Sequence, residues 1–163
     1  MWDQILTQTF LIGVLAAGVR LATPILLAAL GEVFAERAGV LKIGIEGEML
    51  IGALCGFLGA FYLKNIWLGV LAGMLAAALF SLITAVMSIT LKVDQVITGI
   101  TLNILALGLT SFIYRFILGK SMIPPSVKAL RVIKISLLSR IPLLGPIIFH
   151  QNILVYLTFF FLV

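Results

Sequence analysis

Between Gly31 and Glu48 the chain sets four glutamates (Glu32, Glu36, Glu46 and Glu48), Arg37, Lys42 and four glycines between two long apolar runs. These residue types suit the passage of something polar rather than covalent chemistry. Charges placed inside so apolar a sequence are costly and are kept on protein-lined or watery paths. Gly31, Gly39, Gly44 and Gly47 break regular helix, and irregular backbone at membrane depth is tolerated only where protein or a cavity covers it. A second reading is open from the residues alone: a short polar loop joining two spans, with Glu32, Glu36 and Arg37 marking a helix end at the interface. No Ser/His or His/Glu constellation sits at matching depth, which argues against an intramembrane hydrolase. Cys55 is single, so it forms no internal disulfide, and His150 has no neighbouring ligand type to make a metal site.

The elements that must position this stretch are membrane spans. The chain is 63% hydrophobic and 10% charged with a mean hydropathy of +1.28, and from Ile66 to Leu91 it carries no charge, the pattern of a segment that crosses lipid. The expected fold is an all-α, polytopic membrane helix bundle with a glycine-broken segment: about four complete spans plus the start of a fifth. Span one is expected over Ile5 to Leu30, with Thr23-Pro24 turning the chain from Leu21 onward into the polar segment; Arg20 either snorkels or meets a glutamate. Span two is expected over Met49 to Leu63 and span three over Trp67 to Leu91, joined by Lys64-Asn65-Ile66 and therefore antiparallel. Gly52, Gly56 and Ala60, with Gly69 and Gly73, form small-xxx-small rows that let helices approach closely. Span four is expected over Val96 to Leu118, with Asp94 as its N-cap.

One stripe of span four, Gln95, Gly99, Asn103, Ala106 and Thr110, is small and polar and falls on one helical face. Asn103 there either borders a path or hydrogen-bonds a neighbouring helix. Gly119 to Gln151 reads as an extramembrane loop rich in proline, and Val127 to Ile141 as a surface amphipathic helix. Much of the net charge of +5 lies there, on Lys120, Lys128, Arg131, Lys134 and Arg140. Aromatic residues do not interleave with these cations, so anionic lipid or an acidic protein surface suits them better than nucleic acid. Ile153 to Val163 covers only about 16 Å at the helical rise, against a hydrocarbon core of about 30 Å. Residues 1–163 are accordingly expected to be a single transmembrane domain, the N-terminal half of a longer protein.

Three stretches carry a resemblance: Ala22-Thr23-Pro24 through Gly31-Glu32, Glu36-Arg37-Ala38-Gly39-Val40-Leu41-Lys42-Ile43-Gly44-Ile45-Glu46-Gly47, and Asp94-Gln95-Val96-Ile97 with Leu102-Asn103-Ile104-Leu105-Ala106-Leu107-Gly108-Leu109. Together with Pro142-Leu143-Leu144-Gly145-Pro146, they resemble the permease subunits of bacterial ABC importers for nucleosides and simple sugars, relatives of the ribose and branched-chain amino acid permeases. The resemblance implies a multi-pass protein of the bacterial plasma (inner) membrane. Its implied partners are a second permease subunit (homologous or identical), an ATP-binding subunit and an extracytoplasmic substrate-binding protein. No cofactor is implied on this chain; ATP and magnesium belong to the partner ATPase. The chain departs from the family at Lys42, where asparagine is common, and at Glu48, where an apolar residue is common. The new cation and anion are six residues apart and are able to meet across the break.

On this reading Glu46, Glu48, Asn103 and Gln95 line or border the solute path. Gly39, Gly44, Gly47, Glu36 and Arg37 shape the broken helix, and Lys92 and Asp94 touch the ATPase. The alternatives are a truncated, non-transporting scaffold subunit and half of an ion-coupled secondary transporter, which also uses broken helices. The resemblance places the basic loop outside, whereas the positive-inside rule places it in the cytoplasm. A cysteine substituted at Ser126 distinguishes the two: an impermeant thiol reagent added to intact cells should label Ser126→Cys, and labelling only after the cytoplasm is opened refutes the outward orientation.

Overall fold

The computed structural model describes residues 8–119, 126–127, 129–134 and 147–162. The elements in order are α1 (Gln8–Arg37), α2 (Ile45–Leu63), α3 (Ile66–Ala85) continued by a π-helical turn (Val86–Thr90), α4 (Gln95–Leu118), β1 (Val132–Lys134), β2 (His150–Asn152) and α5 (Ile153–Leu162). Four segments are long and apolar enough to cross a membrane, namely Phe10–Arg37, Ile45–Leu63, Ile66–Thr90 and Gln95–Leu118, and Ile153–Leu162 is a shorter apolar helix. The chain is thus an all-α polytopic bundle with one small antiparallel pair, Val132 opposite Asn152 and Lys134 opposite His150. It divides into two compact units, Met1–Gly31 with Leu130–Val163, and Glu32–Ala129.

In the second unit α2 and α3 are held together by glycine. A methyl group added at Gly69 would lie 2.7 Å from the Gly56 carbonyl oxygen and 2.6 Å from the Ala60 Cβ, and one at Gly73 would lie 2.7 Å from the Gly52 carbonyl oxygen. The small-residue rows therefore face each other, as their spacing requires. The connection is tight: Lys64 takes a left-handed conformation, and Asn65 caps α3 by accepting the Trp67 N–H at 3.0 Å. Asp94 caps α4 by accepting from the Val96 and Ile97 N–H groups at 2.8 and 3.1 Å. Ile51, Phe80, Leu102 and Ala106 form a shared core across α2, α3 and α4.

The first unit is organised by a residue that the sequence does not advertise. Gln151 is fully buried; its side-chain oxygen accepts from Arg20 Nε at 2.9 Å, and its amide nitrogen donates to the carbonyls of Ile147 at 2.6 Å and Ala16 at 3.3 Å. Arg20 therefore meets a glutamine amide, neither snorkelling free nor pairing with a glutamate.

Several expected boundaries move. The chain does not turn at Leu21: α1 continues through Pro24 to Arg37. Proline deletes only one rung of the helix ladder, and the Thr23 hydroxyl bonds back to the Val19 carbonyl at 2.8 Å. The break comes later, after Arg37. The next helix starts at Ile45, not Met49, which places Glu46 and Glu48 in its first turn, where the helix dipole favours anions. The amphipathic helix expected over Val127 to Ile141 is not formed at residues 132–134, which make a strand. Val132 and Ile133 are β-branched and suit a pleated backbone better than a helix; residues 135–141 lie outside the described residues.

The glycine rows generate a stability test. Gly69→Ala should cost about 1–3 kcal/mol through overpacking and lower the apparent melting temperature in detergent. Gly108→Ala, where an added Cβ meets nothing within 4 Å, should be neutral or slightly stabilising.

Candidate functional site

The helix break is a built structure. At its start Gly39 adopts φ +79°, its N–H donates to the Glu36 carbonyl at 2.9 Å, and the Val40 N–H donates to the Ala35 carbonyl at 3.0 Å. This pair of bonds around a left-handed glycine is the Schellman ending of a helix, so Gly39 is where α1 must stop. Glu36 and Arg37, just before it, are exposed.

Beyond Val40 the backbone amides have lost their partners on α1, and side chains supply them. The Leu41 N–H donates to Gln95 Oε1 at 2.7 Å, and the Lys42 N–H donates to Glu32 Oε1 at 3.0 Å. Asn103 then acts on both sides of Gly44: its Nδ2 donates to the Ile43 carbonyl at 3.1 Å, and its Oδ1 accepts the Gly47 N–H at 2.7 Å. Helix α2 has Gly44 as its N-cap residue, with no side-chain cap bond of its own. Asn103, from another helix, takes the role that a serine or aspartate normally plays at that position, accepting the third amide of the first turn.

The fit is close enough to need glycine on both sides. A Cβ at Gly99 would lie 2.9 Å from the Gly44 nitrogen and 2.8 Å from the Ile43 Cβ, and one at Gly47 would lie 2.9 Å from Asn103 Oδ1. The stripe Gln95, Gly99, Asn103 and Ala106 is thus the face of α4 that grips the break. Thr110, farther along, donates its hydroxyl to the Ala106 carbonyl at 2.7 Å.

Charge at the break is paired across it. Lys42 Nζ lies 2.6 Å from Glu48 Oε2, with the two side chains 22% and 9% exposed, so the two departures from the family pattern do meet. Glu48 Oε1, Glu32 Oε2 and Thr84 Oγ1 at the break are buried with no partner among the described residues, as is Ser88 Oγ farther along the third span. Thr84 Oγ1 would be 3.9 Å from a Cβ at Gly44, and Ser88 lies in the π-helical turn, a feature often found beside functional sites. Glu46, in the same first turn, is exposed.

The structure therefore brings Gln95, Asn103, Glu48, Gly44 and Gly47 together and leaves Glu46, Glu36 and Arg37 on the outside of that cluster. Asp94 caps α4, and Lys92 takes a left-handed conformation, φ 53°, in the turn before it. Glu32 was read from sequence only as one of the charges ahead of the break, and Thr84 and Ser88 were not singled out. Glu32 had a readable signal in its position on α1 just ahead of the break, whereas Thr84 and Ser88 are ordinary hydroxyls in an apolar span and gave none. Among the described residues no group of three His, Cys, Asp or Glu side chains could hold a metal ion.

The Lys42–Glu48 pair can be tested by a double-mutant cycle. Lys42→Met alone strands a buried carboxylate and should cost about 2–4 kcal/mol, somewhat below the range for a fully buried pair because Lys42 is partly exposed. Adding Glu48→Met should recover most of that loss, read as melting temperature in detergent.

Comparison with known proteins places this geometry. Residues 10–163 match the family described as branched-chain amino acid transport system / permease component. The chain is 43% identical over 136 residues to the guanosine ABC transporter permease protein NupQ of Bacillus subtilis (strain 168), covering 80% of this chain and 43% of that protein. It is 37% identical over 154 residues to the putative glucose ABC transporter permease protein TsgC13 of Haloferax volcanii, covering 92% of this chain and 45% of that protein. It is 34% identical over 137 residues to the nucleoside ABC transporter permease protein NupC of Lactococcus lactis subsp. cremoris (strain MG1363), covering 80% and 43%. The chain spans less than half the length of these relatives. No solved structure matches it. With the match running from Phe10 to Val163, through every described span, the chain belongs to the branched-chain amino acid transport permease family of multi-pass membrane proteins.

Proposed function

We propose that this chain is a permease subunit of an ABC importer and forms part of the path for a nucleoside or simple sugar. The observation that carries the reading is the family match across residues 10–163, and relatives named as guanosine, nucleoside and glucose permeases support it. ATP is hydrolysed on a separate ATP-binding subunit, a second permease subunit completes the path, and an extracytoplasmic binding protein delivers the solute. Lys92 and Asp94, in the turn before α4, face the ATPase.

Glu46, Glu48, Asn103 and Gln95 border the path, and their geometry gives them different parts. Asn103 and Gln95 hold the backbone of the break. Glu48 is tied to Lys42. Glu46 is exposed and makes no hydrogen bond or ion pair to a described residue, so it is the acid left to exchange hydrogen bonds with a solute's hydroxyls. A carboxylate hydrogen bond contributes about 1.5–3 kcal/mol.

In the assembled importer, reconstituted with its ATPase and binding protein, Glu46→Gln should lower solute uptake about tenfold while the complex still copurifies intact. Uptake unchanged by this substitution removes Glu46 from the path. A wild-type complex that assembles yet imports neither nucleoside nor sugar points instead to a non-transporting scaffold.

A further inference from the structure

The seam between α2 and α4 is closed at one end and open at the other. Near the break it is shut by Gly44 against Gly99 and by Gly47 against Asn103 and Ala106. Farther along, the glycines give way to larger side chains, and the two helices border an open cleft of about 480 Å³ whose lining includes Leu54 and Phe57 from α2 and Thr110, Ser111, Tyr114 and Arg115 from α4. That volume lies within the range of small-molecule sites, as does the mixture of apolar walls and a few convergent polar groups.

The polar groups are free to act. The Thr110 hydroxyl gives its proton to the Ala106 carbonyl, so it offers the cleft lone pairs and serves as an acceptor. The side chains of Ser111, Tyr114 and Arg115 make no hydrogen bond or ion pair to any described residue. An arginine with no partner among the described residues, near the end of an apolar span, is costly unless water or a ligand meets it.

We propose that this cleft is a station for a nucleoside on its way through the permease, a reading that rests on the permease function above. Tyr114 and Phe57, the latter stacked on Phe61 with ring centroids 6.2 Å apart, supply aromatic surface to the cleft, and stacking of a base on such a ring contributes about 1–3 kcal/mol. The planar guanidinium of Arg115 matches adjacent carbonyl and ring-nitrogen acceptors, the pattern that a guanine-type base presents. Thr110 and Ser111 meet the ribose hydroxyls as acceptor and donor. A simple hexose offers hydroxyls to the same pair but no planar acceptor edge for Arg115. The station is continuous with the residues at the break, because Thr110 extends the same α4 stripe that contains Asn103.

The test uses the complete importer in proteoliposomes, with 8-azidoguanosine as a photolabel and radiolabelled guanosine and glucose for uptake. The label should map to α2 and α4 peptides lining the cleft, and guanosine but not glucose should compete with it. Tyr114→Ala and Arg115→Gln should each lower guanosine uptake about tenfold, and Tyr114→Phe, which keeps the ring, should retain most of it. Labelling elsewhere, or variants that import guanosine like wild type, overturns the station while leaving the permease reading intact. Competition by glucose equal to that by guanosine overturns the nucleoside assignment. A wild-type complex that imports no solute overturns both readings.

Discussion

The fold around the break depends on one requirement, that backbone polar groups between apolar spans find partners. An unmet amide in lipid costs several kcal/mol, and the amides of Leu41 and Lys42 have no helical ladder to use. Gln95, Glu32 and Asn103 supply acceptors for Leu41, Lys42 and Gly47, and Asn103 also donates to Ile43. The glycines on both sides follow from this, since amide-length side chains reach the backbone only if the helices nearly touch. Asn103 and Gln95 are thus first of all partners of the chain itself, and whatever they present to a solute is presented from positions fixed by that duty.

The charges at the break obey the same economy. Lys42 and Glu48 form one contact, so their charges offset each other at the break. Glu48 also stands in the first turn of α2, where a carboxylate is favoured by the helix dipole. Glu48 Oε1 and Thr84 Oγ1 are buried without a partner among the described residues, and Thr84 lies on α3 beside Gly44.

Much of this was readable in the chain. The spans, the glycine rows, the cap at Asp94 and the stripe on α4 all follow from periodicity and residue type, because they are local rules. What could not be read was set by tertiary contact. Pro24 suggests a turn, but one missing donor is a small loss within thirty helical residues. Val132 to Lys134 suggests a helix by the spacing of its charges, but pairing with His150 to Asn152 decides otherwise. The dual role of Asn103 was open from sequence because a polar stripe does not say what lies opposite. The hydroxyl of Thr84 acquires meaning only once the break is seen beside it.

The bond between Arg20 and Gln151 has an electrical consequence. A glutamine amide orients a guanidinium but does not cancel it, so Arg20, which forms no ion pair among the described residues, keeps its positive charge where Lys42 and Glu48 offset each other. A unit charge carried through the full membrane potential gains or loses about 2.3 kcal/mol per 100 mV. Any displacement of Arg20 along the bilayer normal is therefore biased by voltage in proportion to the fraction of the field it crosses, while the same displacement of the Lys42–Glu48 pair is almost indifferent to it.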